Sequence, residues 1–297
     1  MKKAVVIVTL ALILGACGSG AQDADYVATI DAWHAQREAA LAAEDGWLSL
    51  VALLPIEQGA RTLGSAPDAE LRLPAPAPPR VGTITLNDAG GLGLEPAPGV
   101  PLRVGDDVLN GPISLVPDSD GEPTEVSLGT LRFYAIERGG AFFLRVKDRE
   151  APARLHFTGV DRFPVDPRWR VDAQLEAGSA RSIAIPNVLG QLDDAPCPGR
   201  LVFSLDGVPC SLWPIAEAGE ELFLVFADAS TGDSTYGGGR FLSAPAPDAD
   251  GHVTLDFNRA VNPPCAFSPY ATCPLPPAGN TLSVAVLAGE KNWGEGH

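Results

Sequence analysis

Beyond Gly59 the sequence divides into short runs of alternating apolar and polar residues, separated by glycine, proline, aspartate and asparagine. The chain contains 28 prolines and 32 glycines, which leaves no room for the repeated helical crossovers that parallel strands require. We therefore expect a mainly β fold with antiparallel sheets, arranged as a sandwich or as barrel-like lobes. The clearest strand candidates are residues 81–86, 131–137, 141–148, 169–175, 181–186, 201–205, 221–228, 253–258 and 281–287.

Two glycine-containing sequences predict tight hairpin turns between these strands. They are Arg138-Gly139-Gly140 and Asp206-Gly207, and glycine is favoured there because it accepts a positive φ. The second turn would place Cys210 opposite Phe203, and Cys197 opposite Ala216.

In the region before the β strands, apolar residues recur with a different period. Between residues 23 and 43 apolar side chains recur at helical spacing, which predicts an amphipathic helix that ends at Asp45-Gly46. His34 within it is interpreted as a structural or solvent-facing histidine. We divide the chain into an N-terminal helical segment (18–58), a first β lobe (59–148) and a second β lobe (149–297), although both lobes together could form one domain. The apolar helix positions are Tyr26, Ile30, Trp33, Ala40 and Leu41.

The first seventeen residues have the pattern of a lipoprotein signal peptide. Lys2 and Lys3 precede an apolar run over residues 4–14, and Leu14-Gly15-Ala16-Cys17 follows. Such a run is too short to span a bilayer, so we expect cleavage before Cys17 and acylation of that cysteine, for example with palmitate. The alternative is an uncleaved membrane anchor. Gly18 favours sorting to the periplasmic face of an outer membrane.

The formal net charge of the whole chain is -16. Nucleic acids and anionic lipid surfaces attract clustered lysine and arginine, so neither is an expected partner. The acidity is interpreted as a contribution to solubility.

Apart from Cys17, the chain has four cysteines: Cys197, Cys210, Cys265 and Cys273. An even number in an oxidising compartment predicts disulfides, and of three pairings proximity favours Cys197 with Cys210 and Cys265 with Cys273. The spacing is poor for a zinc site, and His252 is the nearest candidate base for a thiol nucleophile. No metal or cofactor is expected.

The segment from Ser230 to Pro277 contains a triple glycine followed by arginine, a strand with alternating polar residues, and two cysteines among prolines. In the segment 235–240, three glycines precede Arg240, which would suit an anion; alternatively, Arg240 pairs with an internal acid, Asp228 or Asp256. In the strand 253–258, the polar side chains of Thr254, Asp256 and Asn258 share one face, which meets solvent or lines a pocket that the loop 262–265 would close.

Four stretches, GWLSLVALLPIEQG, FPVDPRWRV, STYGGGRFL and LDFNRAVNPPCAFSPYATCPLPPAGN, together with the closing AGE at residues 288–290, resemble an uncharacterised bacterial family, domain of unknown function 1684. The resemblance runs from Tyr26 to Glu290. Val261 stands where that family usually has tyrosine, and Cys197 and Cys210 lie outside its pattern. The family has no established activity, but the resemblance implies importance for Tyr236, Gly239, Arg240, Asp256, Asn258, Asn262, Cys265 and Cys273.

These observations lead to one main hypothesis for function and two alternatives. The main hypothesis is a lipid-anchored envelope protein that binds a small anionic or carbohydrate-like ligand, or a partner. Its pocket would be formed by the turn 237–240, the Asp256/Asn258 face and the loop 265–273. The first alternative is a thiol-dependent enzyme that uses Cys265 or Cys273 with Asp256 as base. The second is a structural or assembly lipoprotein without a small-molecule site.

Overall fold

The structure is a computed structural model that describes residues 18–176 and 178–294. The predicted signal peptide and the acylation site at Cys17 lie outside this range. Within it, no helix combines the length and apolar character needed to cross a membrane.

One long helix precedes a chain of short strands. Helix α1 spans Gly18–Leu41, and the short helix α2 spans Pro152–Leu155. The strands before α2 are β1 Leu50–Ile56, β2 Gly59–Gly64, β3 Leu71–Arg72, β4 Gly82–Leu86, β5 Leu92–Pro96, β6 Arg103–Val104, β7 Asp107–Val108, β8 Ile113–Leu115, β9 Val126–Leu128, β10 Leu131–Arg138 and β11 Ala141–Asp148. Those after it are β12 Arg170–Leu175, β13 Arg181–Pro186, β14 Leu192–Cys197, β15 Leu201–Leu205, β16 Val208–Leu212, β17 Leu222–Phe226, β18 Arg240–Ala244 and β19 His252–Asp256.

The strands before α2 form two sheets that share one hydrophobic core. One sheet has the order β1-β11-β10-β9-β6-β7 and the other β3-β2-β4-β5-β8. Phe133 and Leu144 from the first sheet and Leu63, Ile84 and Leu94 from the second are at most 1% exposed and belong to one buried cluster. Two sheets that face each other across a core in this way are sandwich-like.

The strands after α2 build a second core. A four-stranded sheet of order β16-β15-β12-β19 packs with the β17-β18 pair, and β13 and β14 form a further hairpin. Leu201, Leu224, Phe226 and Leu255 are buried together between them. The prediction of a mainly β chain with antiparallel sheets and an N-terminal helix is therefore confirmed, with β2-β3 as a parallel exception. No sheet in the described ranges closes into a barrel.

Both predicted hairpin turns are present. Gly139 and Gly140 have φ values of 55° and 77° between the paired residues Arg138 and Ala141, and Asp206 and Gly207 have φ values of 48° and 79°. These left-handed conformations match the twist of antiparallel strands, which explains the choice of residues.

The strand pairing around the Asp206-Gly207 turn agrees with the prediction for Cys210 and differs from it for Cys197. Cys210 lies opposite Phe203, as expected. Cys197 pairs with Arg181 across the β13-β14 hairpin, because the strand that carries Cys197 joins a different sheet. Its expected partner Ala216 donates its N–H to the carbonyl of the adjacent Pro196 (3.0 Å).

One predicted strand is shorter than expected, and another does not form. The strand expected at residues 253–258 ends at Asp256 and continues as a 3₁₀ turn over Phe257–Arg259, because the Asp256 carboxylate accepts the N–H of Asn258. The run 281–287 forms no strand and makes only an isolated bridge at Thr281. Backbone groups near its end are bonded by side chains, as described below.

Helix α1 packs along the end of the second core. The buried side chains in its stripe, Ile30, His34 and Leu41, are 0–5% exposed, whereas the predicted stripe member Ala40 is exposed. His34 Nε2 bonds to the carbonyl of Asn258 (3.0 Å), so the structural interpretation of this histidine is correct. The helix therefore places its polar residues against the segment that follows β19.

Candidate functional site

The eight residues that the resemblance singles out do not form one pocket. They lie in three places: the buried Arg240 with its neighbour Gly239, the junction of α1 with Asp256, Asn258 and Asn262, and the Cys265–Cys273 loop beside Tyr236. Each place has different chemistry, so the expected single site made of all three parts is not found.

Arg240, the first residue of β18, is fully buried together with Asp228. Its Nη2 lies 2.8 Å from the Asp228 carboxylate and also donates to the carbonyl of Val286, while its Nη1 donates to the carbonyls of Ala288 and Glu290. Asp228 in turn accepts the N–H of Val286 (3.2 Å). This ion pair replaces the strand pairing that the sequence predicts for residues 281–287, and the structural alternative for Arg240 is the one observed.

Gly239 allows Arg240 to reach this position. Its φ is +83°, and a Cβ atom there would lie 2.7 Å from the carbonyl oxygen of Phe226 and 2.6 Å from Pro276. Both the left-handed conformation and the close approach require glycine. Gly239 is therefore explained by packing and backbone geometry, with no role for a bound anion.

Asp256 and Asn258 anchor helix α1. The Tyr26 hydroxyl donates to Asp256 (2.8 Å) and accepts from the Asn258 amide (2.9 Å). Burial and the neighbouring Asp256 carboxylate raise the pKa of Tyr26, and burial lowers the pKa of His34. Asn258 is 1% exposed, so the expectation that it shares an open face with Asp256 is wrong; the 3₁₀ turn directs it inward.

Asn262 is also buried and ties two segments to α1. Its N–H donates to the Glu290 carboxylate (2.6 Å), its side-chain amide to the carbonyl of Lys291 (2.7 Å), and its carbonyl accepts from Arg37 (3.0 Å). Burial raises the pKa of Glu290, and the nearby charge of Arg37 opposes this shift. These bonds indicate a structural role for Asn262.

A cavity of about 920 Å³ opens between α1 and the second core. Asp256 and Thr254 from β19 line it, so the polar face of this strand borders a pocket, one of the two outcomes left open by the sequence. The loop 262–265 does not close the cavity; Val261 is the nearest lining residue on that side. The remaining wall consists of Asp25, Tyr26, Thr29, Trp33, Arg170, Glu221, Phe223, Phe241, Ser243, Ala244, Pro245 and Arg259.

The cavity combines aromatic rings with charges of both signs. Phe223 and Phe241 meet edge to face with ring centroids 4.9 Å apart, and the Arg259 guanidinium lies 5.4 Å from the centre of the Trp33 ring. Two arginines, at positions 170 and 259, face three carboxylates, at positions 25, 221 and 256. The wall therefore has no excess of positive charge with which to attract an anion.

Cys265 and Cys273 lie against each other. The N–H of Cys265 donates to the sulfur of Cys273 (3.1 Å), and the N–H of Cys273 donates to the sulfur of Cys265 (3.3 Å). Cys265 is half-buried and Cys273 is 4% exposed. Tyr236 is close to both thiols, and burial is the main cause of its raised pKa.

All four cysteines in the described part of the chain are free thiols. The predicted Cys197–Cys210 disulfide is not formed, because the two residues belong to different hairpins, and the Cys265–Cys273 pair is adjacent but not bonded. Asp256 contacts Tyr26, Asn258 and Arg259. The arrangement with Asp256 as base for either thiol is therefore not assembled.

Across residues 18–176 and 178–294, no group of three or more histidine, cysteine, aspartate or glutamate side chains is placed to hold a metal ion. The two cysteines could supply at most two ligands.

Sequence reasoning missed most of the cavity wall and a buried arginine at position 145. Arg170 and Phe241 lie inside two of the stretches that carry the family resemblance, FPVDPRWRV and STYGGGRFL, so a signal for them was present. Trp33 is recognisable from the sequence only as an apolar position of the predicted helix. Arg145 occurs in a predicted strand, where an arginine is ordinarily taken to face solvent.

Residues 155–291 match the model of a family described as "Protein of unknown function (DUF1684)". The match supports membership of that family for this part of the chain; the resemblance toward Tyr26 lies outside the matched range. A solution structure of an uncharacterised protein from Haloarcula marismortui has 36% sequence identity over 46% of this chain and 78% of its own, with a TM-score of 0.38. No curated protein matches.

Proposed function

We propose that this chain is a lipid-anchored protein of the cell envelope that binds a small, neutral, carbohydrate-like ligand in the cavity between α1 and the second core. The observation that carries the proposal is the cavity of about 920 Å³, in which aromatic rings alternate with hydroxyl, carboxylate and guanidinium groups. Its volume lies within the range of small-molecule sites, which are about 300–1,000 Å³.

The composition of the wall favours a polyhydroxylated ligand over an anion. Apolar faces of a sugar ring can pack on Trp33, Phe223 or Phe241, while its hydroxyl groups both donate and accept hydrogen bonds. The carboxylate of Asp256 accepts such bonds and the guanidinium of Arg170 donates them. An anion would be attracted by two arginines and repelled by three carboxylates, so the charges offer it little net stabilisation.

Envelope anchoring rests on the N-terminal sequence. Lys2, Lys3, the apolar run and the Leu14-Gly15-Ala16-Cys17 motif support cleavage and acylation at Cys17, and Gly18 favours the outer membrane. Helix α1, which begins at Gly18, forms one wall of the cavity, so the anchor would hold the cavity close to the bilayer surface. Replacing Cys17→Ser should abolish incorporation of radiolabelled palmitate. Incorporation that persists in this variant would contradict anchoring at Cys17.

Ligand binding can be tested by calorimetry on the full chain, with neutral hexose oligosaccharides and the corresponding uronic acids as probes. We expect the neutral sugars to bind, and Trp33→Ala and Asp256→Asn to weaken binding by at least about tenfold, since each removes a contact worth about 1.4 kcal/mol. Tyr270→Ala is the control, because Tyr270 is an exposed aromatic outside the cavity wall. Tighter binding of the uronic acids, or equal affinity in all variants, would contradict the proposal.

A further inference from the structure

One buried arginine has no carboxylate partner among the residues that the structure describes. Arg145 in β11 is 4% exposed. Its Nη2 donates to the Thr272 hydroxyl (3.0 Å), and its Nε has no acceptor. Among the salt bridges of the described residues, none includes Arg145, in contrast to the fully buried Arg240.

A guanidinium remains protonated in proteins, so its burial requires compensation. The rings of Trp47 and Tyr134 lie 5.4 Å and 6.0 Å from the Arg145 carbon Cζ. Such contacts contribute about 0.5–2 kcal/mol each, whereas desolvating an ion costs several kcal/mol. The site therefore favours an additional anion close to Arg145.

The thiol pair is the available source of that anion. The charge of Arg145 acts on both Cys265 and Cys273, and Thr272, which Arg145 bonds, is the neighbour of Cys273 in the chain. A hydrogen bond from the Cys273 thiol lowers the pKa of Cys265, assisted by the Cys273 N–H and the Arg145 charge. The same hydrogen bond and burial raise the pKa of Cys273.

We propose that Cys265 and Cys273 form a redox-active dithiol centre that exchanges with disulfide substrates, with Cys265 as the nucleophilic thiolate, Cys273 as the resolving thiol and Arg145 as the positioning cation. Cys265 is the more exposed of the two cysteine residues, which suits the residue that a substrate must reach. This centre is separate from the proposed sugar cavity, whose wall contains neither cysteine.

The reaction balances with a disulfide R–S–S–R as the oxidant. The Cys265 thiolate attacks one substrate sulfur, the S–S bond breaks, and a Cys265–S–S–R mixed disulfide and one thiolate RS⁻ result. The proton of Cys273 passes to this RS⁻, and the Cys273 thiolate attacks the Cys265 sulfur. The second RS⁻ leaves, so the dithiol loses two electrons and the substrate gains them.

Trapping the mixed disulfide tests the assignment of the two sulfurs. The reduced full chain is mixed with oxidised glutathione, quenched with acid and mapped by mass spectrometry. The unmodified chain should form the Cys265–Cys273 disulfide, and Cys273→Ser should accumulate glutathione on Cys265. Cys265→Ser should accumulate little on Cys273. Glutathione on Cys273 instead of Cys265, or none on either residue, would overturn the assignment.

Variants of Arg145 test the positioning role. The rate of iodoacetamide reaction at Cys265 is measured against pH, because the midpoint of this profile reports the thiolate fraction independently of how exposed the sulfur is. We expect a midpoint below about 8.5, the ordinary thiol pKa. It should move upward in Arg145→Met and return toward the original value in Arg145→Lys. A midpoint at or above the ordinary value, unchanged in Arg145→Met, would overturn the proposal; thermal unfolding confirms that each variant is folded.

Discussion

Arg240 and Arg145 are both buried in β strands, but their surroundings differ. Arg240 is 0% exposed and contacts the Asp228 carboxylate, and it also donates to three backbone carbonyls. Arg145 is 4% exposed, and among the described residues its side chain has one hydrogen bond, to the hydroxyl of Thr272, the chain neighbour of Cys273; the rings of Trp47 and Tyr134 lie beside its guanidinium. One arginine has a permanent counter-ion, and the other has an ionisable neighbour that can become one.

The different surroundings indicate different roles for the two arginines. A charge matched by a carboxylate and by carbonyl groups holds segments in place and leaves nothing for a substrate. A charge beside two thiols lowers the free energy of the thiolate, which is the reactive form of cysteine. The glycine-arginine turn, where the sequence suggested a binding site, is therefore structural. The arginine that we propose as the positioning cation lies in a strand that carried no obvious signal.

The largest expected effect is on the stability of the buried ion pair. Arg240→Met leaves the buried Asp228 carboxylate without its counter-ion and should lower the free energy of unfolding by about 3–5 kcal/mol. Arg145→Met should cost only about 1–2 kcal/mol, since Cys265 can protonate once the cation is removed. Urea unfolding of the reduced protein measures both. Equal losses of unfolding free energy in the two variants would show that Arg145, like Arg240, has a fixed counter-ion, and would contradict the proposed difference between them.

The turn that positions Arg240 gives the next largest effect. Gly239→Ala combines a left-handed backbone with a close approach to the Phe226 carbonyl, and it should cost about 3 kcal/mol. Gly140→Ala is the matched control, with φ +77° and no atom within 4 Å of the added Cβ; it should cost about 1–2 kcal/mol. Losses of the same size would mean that the contact at Gly239 is relieved without strain.

A third buried basic group, His34, should have the smallest effect. Burial lowers its pKa in the folded protein, so below about pH 6.5, the ordinary histidine value, the unfolded chain binds a proton that the folded chain excludes. The contribution of neutral His34 to the free energy of unfolding is fully present above that pH and should fall as the pH is lowered to 5.

The measurement is urea unfolding at pH 7 and pH 5 for the unmodified chain and for His34→Gln, which should lose this part of the pH dependence. The difference between the two proteins is the informative quantity, because burial raises the pKa of Glu290 and acts in the opposite direction. His252→Gln provides the exposed control. An identical pH dependence in His34→Gln and the unmodified chain would contradict the assignment.

The sequence predicted the local features of the fold well. Period-two runs and the turns at Gly139-Gly140 and Asp206-Gly207 depend on interactions between near neighbours, which a single sequence displays. The failures involve distant partners. Residues 281–287 have the pattern of a strand, but their backbone is bonded by side chains of Asp228 and Arg240 from 46 to 58 positions away.

The candidate site was predictable only in part. Asp256 was correctly placed beside a pocket, because the polar face of its strand was evident from alternation. The inward rotation of Asn258 depends on a capping bond from Asp256, and the wall formed by Trp33 depends on how α1 docks. Neither is encoded in the alternation of the strand, since the first is a capping bond that ends the alternation and the second results from contacts across more than two hundred residues.

Thiolate absorbance tests most directly whether the Cys265 thiolate is the counter-ion of Arg145. The reduced full chain with Cys17→Ser, Cys197→Ser and Cys210→Ser leaves only Cys265 and Cys273 to titrate. We predict that one thiolate forms below the ordinary thiol pKa of about 8.5 and the second well above it, and that Arg145→Met moves the first step upward. Two steps at or above the ordinary value, unaffected by Arg145→Met, would contradict the claim.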